Sequence, residues 1–296
     1  MEDAVALLRA FEGRRARLRA VAYRMLGSLT EAEDAVQEAW LRASRPGLGP
    51  VDNLDAWLTT VVARVCLNIL RKRRARPEEP FGVHLPDPIV TPDTEAQPEE
   101  QAVLADSVGL ALLVVLDTLT PAERLAFVLH DLFDLPFTDI APIVGRTPAA
   151  ARQLASRARR RVRGADLCAP DTDRARQRAV VDAFFAAARR HDFERLLSLL
   201  DPDVVLRSDA GAWRPQLTLV LRGARAVARR AVPLPNSELL PVLVNGGPGV
   251  LVLLAGRPFG IMAFTVRGGR IIEIDGIVEP DRVRRLAAPV LASAGS

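Results

Sequence analysis

Tyrosine and lysine each occur once in these 296 residues, as Tyr23 and Lys72, while cysteine occurs twice and histidine three times. Cys66 and Cys168 stand far apart and the histidines are scattered. The chain therefore has no zinc-ligand spacing and no disulfide framework, so no metal site and no cofactor is expected and a reducing, cytoplasmic setting fits. Long hydrophobic runs are also missing. Residues 108–116 are apolar but bounded by Asp106 and Asp117, and residues 239–254 are broken by Pro241 and by NGGPG, so neither stretch is long enough to span a bilayer. Glu2, Asp3 and Arg9 precede any long apolar run, which is the wrong layout for a signal peptide.

What is present is arginine, unevenly placed. Residues 1–74 carry 13 basic against 9 acidic side chains, residues 75–118 carry 1 against 9, residues 119–164 carry 8 against 4, and residues 165–296 carry 18 against 14. Two basic helical blocks are thus joined by an acidic strip. Seven arginines and no acid lie between Arg146 and Arg163. That segment follows LTPAERLAFVLHDLFDLPFTDIAPIVG, which predicts a helix from Pro121, a short helix over 137–144 and a turn at Gly145. Thr147 is a good N-cap and Pro148 suits the first helical position, so the next helix is chemically marked at its start. The unit reads as a helix-turn-helix. Its second helix would present Arg152, Gln153, Ser156 and Arg157 to base edges and phosphates, and Arg159, Arg160, Arg161 and Arg163 to phosphates.

The amino-terminal block is helical throughout, with breaks at Gly27, at RPGLGPVDN and at Pro77. SLTEAEDAVQEAWLRA has Ser28 or Thr30 as an N-cap and is expected to bury Ala35, Ala39 and Leu41. A helix over 54–74 is expected to bury Leu58, Val61, Val62, Val65 and Ile69. Its other face, Trp57, Thr60, Arg64, Asn68 and Arg71, mixes an aromatic with donors and cations, as surfaces that hold single-stranded DNA do. Trp57 in the core, with the arginines simply solvated, is the alternative.

AYRMLGSLTEAEDAVQEAWLRA, NLDAWLTTVVARVCLNILRKRR and the helix-turn-helix segment, taken in order over about residues 5–164, resemble the extracytoplasmic-function sigma factors of bacterial RNA polymerase. The resemblance implies core polymerase and promoter DNA as partners. It places Asp34, Gln37, Glu38 and Leu41 on the polymerase-docking face, and Asn53, Arg64, Asn68 and Arg71 beside the melted −10 strand. Arg152, Gln153, Ser156 and Arg157 fall at the −35 element. The expected fold is multidomain: two all-α helical sigma domains, the second a helix-turn-helix, and an α+β domain. The expected segments are 1–75, an acidic proline-rich linker over 76–105, 106–165, and 172–296.

The linker composition predicts extended, mobile chain. Within it FGVHLPDP resembles the WLPEP-like motif of sigma factors with a carboxy-terminal extension, with His84 in place of tryptophan. Beyond residue 171 two amphipathic helices precede apolar runs and the Gly268-Gly269 hairpin signal. This order resembles the SnoaL-like cone, and NGGPG and EPDRV resemble motifs of SnoaL-tailed sigma factors, placing Asn245 and Asp281 at a regulatory contact. Such cones hold small molecules or catalyse isomerisation and cyclisation. Enolising chemistry needs a base and an oxyanion partner, commonly tyrosine, and this domain has no tyrosine. Asp209, Glu273 and Asp275 are expected as strand-end or surface acids. The chain therefore reads as a non-enzymatic alternative sigma factor regulated by its fused domain. A DNA-tethered SnoaL-like isomerase or cyclase and a ligand-sensing helix-turn-helix activator are the rival readings, and a small-molecule ligand of the carboxy-terminal domain accompanies either regulatory version.

Overall fold

A computed structural model describes residues 8–9, 11–44, 53–75, 83–93, 109–164, 171–212 and 214–294. Cys168, the loop RPGLGPVD and the greater part of the 76–105 linker lie outside them. The chain forms two compact units, one of residues 1–79 with 112–167 and one of residues 80–111 with 168–296. The acidic connector is therefore divided, and its described part belongs with the carboxy-terminal domain.

In the first unit α1 (Arg15–Leu26), α2 (Leu29–Ala43) and α3 (Leu54–Ala75) pack on one another around Leu18, Val21, Tyr23, Met25, Val36 and Leu58. Ser28 precedes α2 in extended conformation but makes no side-chain cap, whereas Asn53 caps α3 by accepting from the Ala56 N–H at 3.1 Å. Gly27 ends α1 in the left-handed conformation. Helices α4 (Leu110–Asp117), α5 (Pro121–Phe127), α6 (Phe137–Val144) and α7 (Pro148–Gly164) follow. Thr120 and Glu123 form a reciprocal capping box at the start of α5, which satisfies two otherwise orphaned donors. The turn between α6 and α7 depends on Gly145, at φ 68°, where a side chain would be strained. Thr147 then accepts from the Ala150 N–H at 3.3 Å, as its sequence position predicts.

Three charged side chains are buried in this unit, Glu123 of the capping box and, against all pattern expectation, Arg24 and Arg124. Arg124, 2% exposed, donates from Nε to the carbonyl of Arg24 on α1 at 3.0 Å and from Nη1 to Asp117 at 2.8 Å. Arg24 donates to Ala20 and lies 5.1 Å from the Phe133 ring centroid. Helix α3 also packs on α5 and α6, so the amino-terminal helices and the helix-turn-helix share one unit.

The second unit is a seven-stranded sheet in the order β1-β4-β5-β6-β7-β2-β3, with helices against it. Its elements are β1 (Val90–Pro92), α8 (Arg174–Arg189), α9 (Phe193–Leu199), β2 (Leu200–Asp209), β3 (Leu219–Arg222), α10 (Ala224–Arg230), β4 (Ser237–Val244), β5 (Gly247–Leu254), β6 (Arg257–Arg267), β7 (Arg270–Ile277) and α11 (Pro280–Ala294). Val204, Val250, Val252, Phe264, Val266, Ile271 and Ile274 point from one sheet face into a core with Val181, Phe184 and Leu196 from the helices. Helix α11 packs on β6 and β1 and buries Val283, Ala287 and Val290. Asp171 accepts from both Gly268 and Gly269 N–H groups at 2.9 and 3.1 Å, fastening the entry of the domain to the β6–β7 hairpin. These two hydrogen bonds hold its carboxyl below the ordinary value.

Candidate polymerase, DNA and linker-binding surfaces

Helix α2 buries Ala32, Ala35, Val36, Ala39 and Ala43, an unusually small-residue stripe that leaves the opposite side entirely to solvent. Asp34, Gln37, Glu38 and Leu41 are all exposed and recur at i, i+3, i+4 and i+7, so they form one face. Leu41 is 54% exposed, a correction to its expected place in the core: the alanine stripe closes the interior without it. Glu38 is held by Arg42 at 2.8 Å; Asp34 and Gln37 have no partner among the described residues.

On α3 the buried side chains are Leu58, Thr59, Val62, Ala63, Val65, Cys66, Leu67 and Leu70. Val61 and Ile69 are only half-buried, as is Trp57. Arg64, Asn68 and Arg71 are exposed at i, i+4 and i+7 and have no partner among the described residues. This single face carries donors and cations, with Trp57 one turn or more behind it. Asn53 is exposed at the helix start, but its Oδ1 is committed to the cap, leaving its amide N–H groups for a ligand.

Helix α7 buries Ala151, Ala155 and Ala158 and exposes Ala149, Arg152, Gln153, Ser156 and Arg160 on the opposite side. Arg152 is steadied over the Phe137 ring, 5.5 Å from its centroid. Arg157 is engaged elsewhere. It donates from Nε to Glu123 at 2.9 Å, and Arg161 reaches the other oxygen of the same carboxylate at 3.1 Å; Arg159 pairs with Asp131 at 2.5 Å. Burial acts to raise Glu123, yet hydrogen bonds from Thr120 and Arg157 and the charge of Arg161 outweigh it and hold the carboxyl below its ordinary value. Sequence reasoning missed Glu123 because an acid at the third helical position already has a reason to be there.

In the second unit the linker is strapped to the sheet. Val90, Thr91 and Pro92 pair antiparallel with Val244, Leu243 and Val242, where extended, unpaired chain was expected. Asn245 sits at φ 48° and grips Ile89 twice, its Oδ1 accepting from the Ile89 N–H at 2.7 Å and its own N–H donating to the Ile89 carbonyl at 2.9 Å. Arg282 spends all three guanidinium nitrogens here: Asp87 at 2.8 Å, Asp209 at 2.6 Å and the Leu85 carbonyl at 2.6 Å. Asp209 also accepts from the Leu85 N–H at 2.9 Å. Arg285 pairs with Asp87 at 2.9 Å and Arg178 with Asp93 at 2.8 Å. Asp281, expected at this contact, faces solvent and pairs with Arg284; its neighbour Arg282 makes the contact instead. His84, beside the linker anchor, lies 3.6 Å from Asp209 with its side chain largely exposed.

Asp209, Glu273 and Asp275 are buried or nearly so rather than surface acids. Arg207 joins Glu273 and Asp275, each at 2.9 Å. Burial pushes the Asp275 carboxyl up to about 6; Arg207 opposes this and Glu273 adds to it. An acid whose folded value lies above its unfolded value of about 3.9 binds more protons folded than unfolded. Its contribution is therefore full below about pH 4 and is lost as pH rises through about 6. Thermal unfolding of the full chain should show this loss in the transition of the second unit, and Asp275→Asn should flatten it over that window. An identical pH profile for the two proteins would contradict the assignment.

Residues 10–76 match the Sigma-70 region 2 family and residues 109–162 match Sigma-70, region 4. The chain is 39% identical to the ECF RNA polymerase sigma factor SigJ of Mycobacterium tuberculosis, over 92% of this chain and 91% of that one. It is 35% identical to the probable ECF RNA polymerase sigma factor SigI of the same species, over 94% and 95%. The crystal structure of M. tuberculosis SigJ superposes with a TM-score of 0.73 at 35% identity, covering 93% of this chain and 97% of that one. These likenesses run through both units.

Proposed function

The chain belongs to the extracytoplasmic-function RNA polymerase sigma factors, and from that premise we propose which surfaces carry the work of a sigma factor here. A sigma factor is a non-enzymatic subunit that brings core RNA polymerase to promoters and initiates transcription. We assign residues 1–75 to core binding and −10 recognition, 106–165 to the −35 element, 76–105 to the linker and 172–296 to regulation, working in the cytoplasm beside polymerase and DNA. The observation that carries the reading is three separate solvent-facing helix faces: Asp34, Gln37, Glu38 and Leu41 on α2, Arg64, Asn68 and Arg71 on α3, and Arg152, Gln153 and Ser156 on α7.

The division is physically sensible. A base taken out of its stack costs a few kcal/mol, so melting needs a second binding surface besides the duplex reader. Purified core polymerase plus this chain should start transcripts at a cognate promoter, which an activator cannot do without another sigma subunit. Asp34→Lys with Glu38→Lys should weaken core binding at least tenfold while leaving the fold intact, because both acids lie outside the buried stripe. Wild-type affinity in a pull-down against core polymerase would remove α2 as the docking face.

Arg152→Ala should cost −35 duplex binding about 1–3 kcal/mol with altered base preference, as expected for lost base contacts. Arg157→Ala should instead act mainly through Glu123, lowering the stability of the helix-turn-helix. A gel-shift series over single base changes separates them; equal selectivity for wild type and Arg152→Ala would reject the base-reading role.

For the carboxy-terminal unit we propose regulation through the linker, because it holds the chain between the two promoter-binding regions. It also offers a partly open cavity of about 270 Å³, and we assign a small-molecule ligand to it.

A further inference from the structure

That assignment of a ligand rests on the cavity, and the composition of its walls narrows the ligand to one class. Phe184 of α8, Leu206 of β2, Val252 of β5, Met262 of β6 and Ile274 of β7 form its body. The sheet register explains the sorting. Leu206 pairs with Ile274 and Arg207 with Asp275, and neighbours along a strand point to opposite faces. The Arg207 guanidinium, Glu273 and Asp275 are thereby joined on the face away from Leu206 and Ile274. Among the described residues lining the cavity there is no aspartate, glutamate, histidine or tyrosine. Its walls thus supply no general base, so a bound molecule is held rather than turned over, and no carboxylate repels an anion.

Three arginines line it, and Arg207 is already committed to Glu273 and Asp275, which leaves two cations. Arg189 ends α8 and Arg230 ends α10; both are exposed, and neither has a partner among the described residues. A cation in the last turn of a helix suits the macrodipole, but that does not require both to border one cavity. The segment after α10 adds Val232 and Leu234 to the lining, 59% and 42% exposed, apolar surface that the body of a ligand would cover. We propose that the cavity binds a monoanionic amphipathic carboxylate, its hydrocarbon body against Leu206, Met262 and Ile274 and its head group at Arg189 and Arg230. A dry cavity of about 150 Å³ holds benzene, so this one suits a body of roughly ten carbons.

Decanoate, decanol and decyltrimethylammonium, each below its micelle concentration, should be titrated calorimetrically into the full-length protein. Decanoate is expected to bind one-to-one, at least tenfold tighter than decanol, with the cation weakest. Arg189→Gln with Arg230→Gln should abolish that preference while leaving decanol binding unchanged. Met262→Trp should block all three by filling the cavity, and Leu206→Phe provides a second filling variant should tryptophan disturb folding. Equal binding of the three probes, still lost on filling the cavity, would overturn the anion assignment and leave the ligand reading standing. No saturable binding by any probe would overturn both.

Discussion

Arg282→Ala should release residues 83–93 from the sheet. The side chain is 13% exposed and ties Asp87, Asp209 and the Leu85 carbonyl together. Its removal leaves Asp209, 3% exposed, without its charged partner. Breaking a buried pair from one side costs about 3–5 kcal/mol; Arg285 still holds Asp87, so about 3 kcal/mol is expected here. The local opening equilibrium would shift by about a hundredfold. Hydrogen exchange at the Leu85 and Ile89 amides reads this directly, and protease cleavage within the strap should accelerate in step. Arg282→Lys should recover only part of the protection, since a single ammonium cannot match a fork aimed at three acceptors. Asp281→Ala, one residue away, should leave exchange unchanged. If transcription from a cognate promoter is the same with the strap released as with it held, the linker contact is structural and the regulatory proposal fails.

Arg124→Met is expected to have a comparable effect on the first unit. Burial lowers the Arg124 pKa, with Asp117 opposing that trend, and one of its nitrogens, Nη2, is buried without a hydrogen-bond partner. The residue thus carries a desolvation cost that methionine would remove. Against this, methionine leaves the Arg24 carbonyl without its charged donor and loses the bond to Asp117. Hydrogen bonds to charged groups are worth about 1.5–3 kcal/mol each, so the loss of two outweighs the relief, and a net destabilisation of about 2–3 kcal/mol is expected. Because the Arg24 bond joins α5 to α1, amides of both helices should lose protection together. Loss confined to α5 would show that the tie contributes nothing to joining the two helical regions.

The difference between what was legible in the sequence and what was not follows from the range of each signal. The helix-turn-helix could be read because its determinants are local: Thr147 caps, Pro148 starts, Gly145 turns, and three alanines at helical spacing face inward. The α2 face was legible in its charges but not in Leu41, since leucine in a helix is read as core unless the neighbouring alanines are seen to close the interior. The strap was not legible at all. Its strand is three residues long, its partner in β4 lies some 150 positions later, and it is fixed by single side chains, Asn245 and Arg282, that carry no periodic pattern. Arg24 and Arg124 were missed for the opposite reason, because an arginine has a strong prior for the surface and nothing nearby signals otherwise. The cavity draws on six strands and two helices, so no window of sequence contains it.

The strap also has a consequence for solubility. With β1 at one end of the strand order, Val242, Leu243 and Val244 of β4 owe their outer backbone pairing to Val90–Pro92. Whatever draws the linker away leaves a short apolar edge with open donors and acceptors, the type of surface that recruits another strand. A carboxy-terminal fragment beginning at residue 172 would carry that open edge permanently. It should self-associate in a way the intact chain does not, and a synthetic peptide spanning residues 83–93 should return it to the monomer.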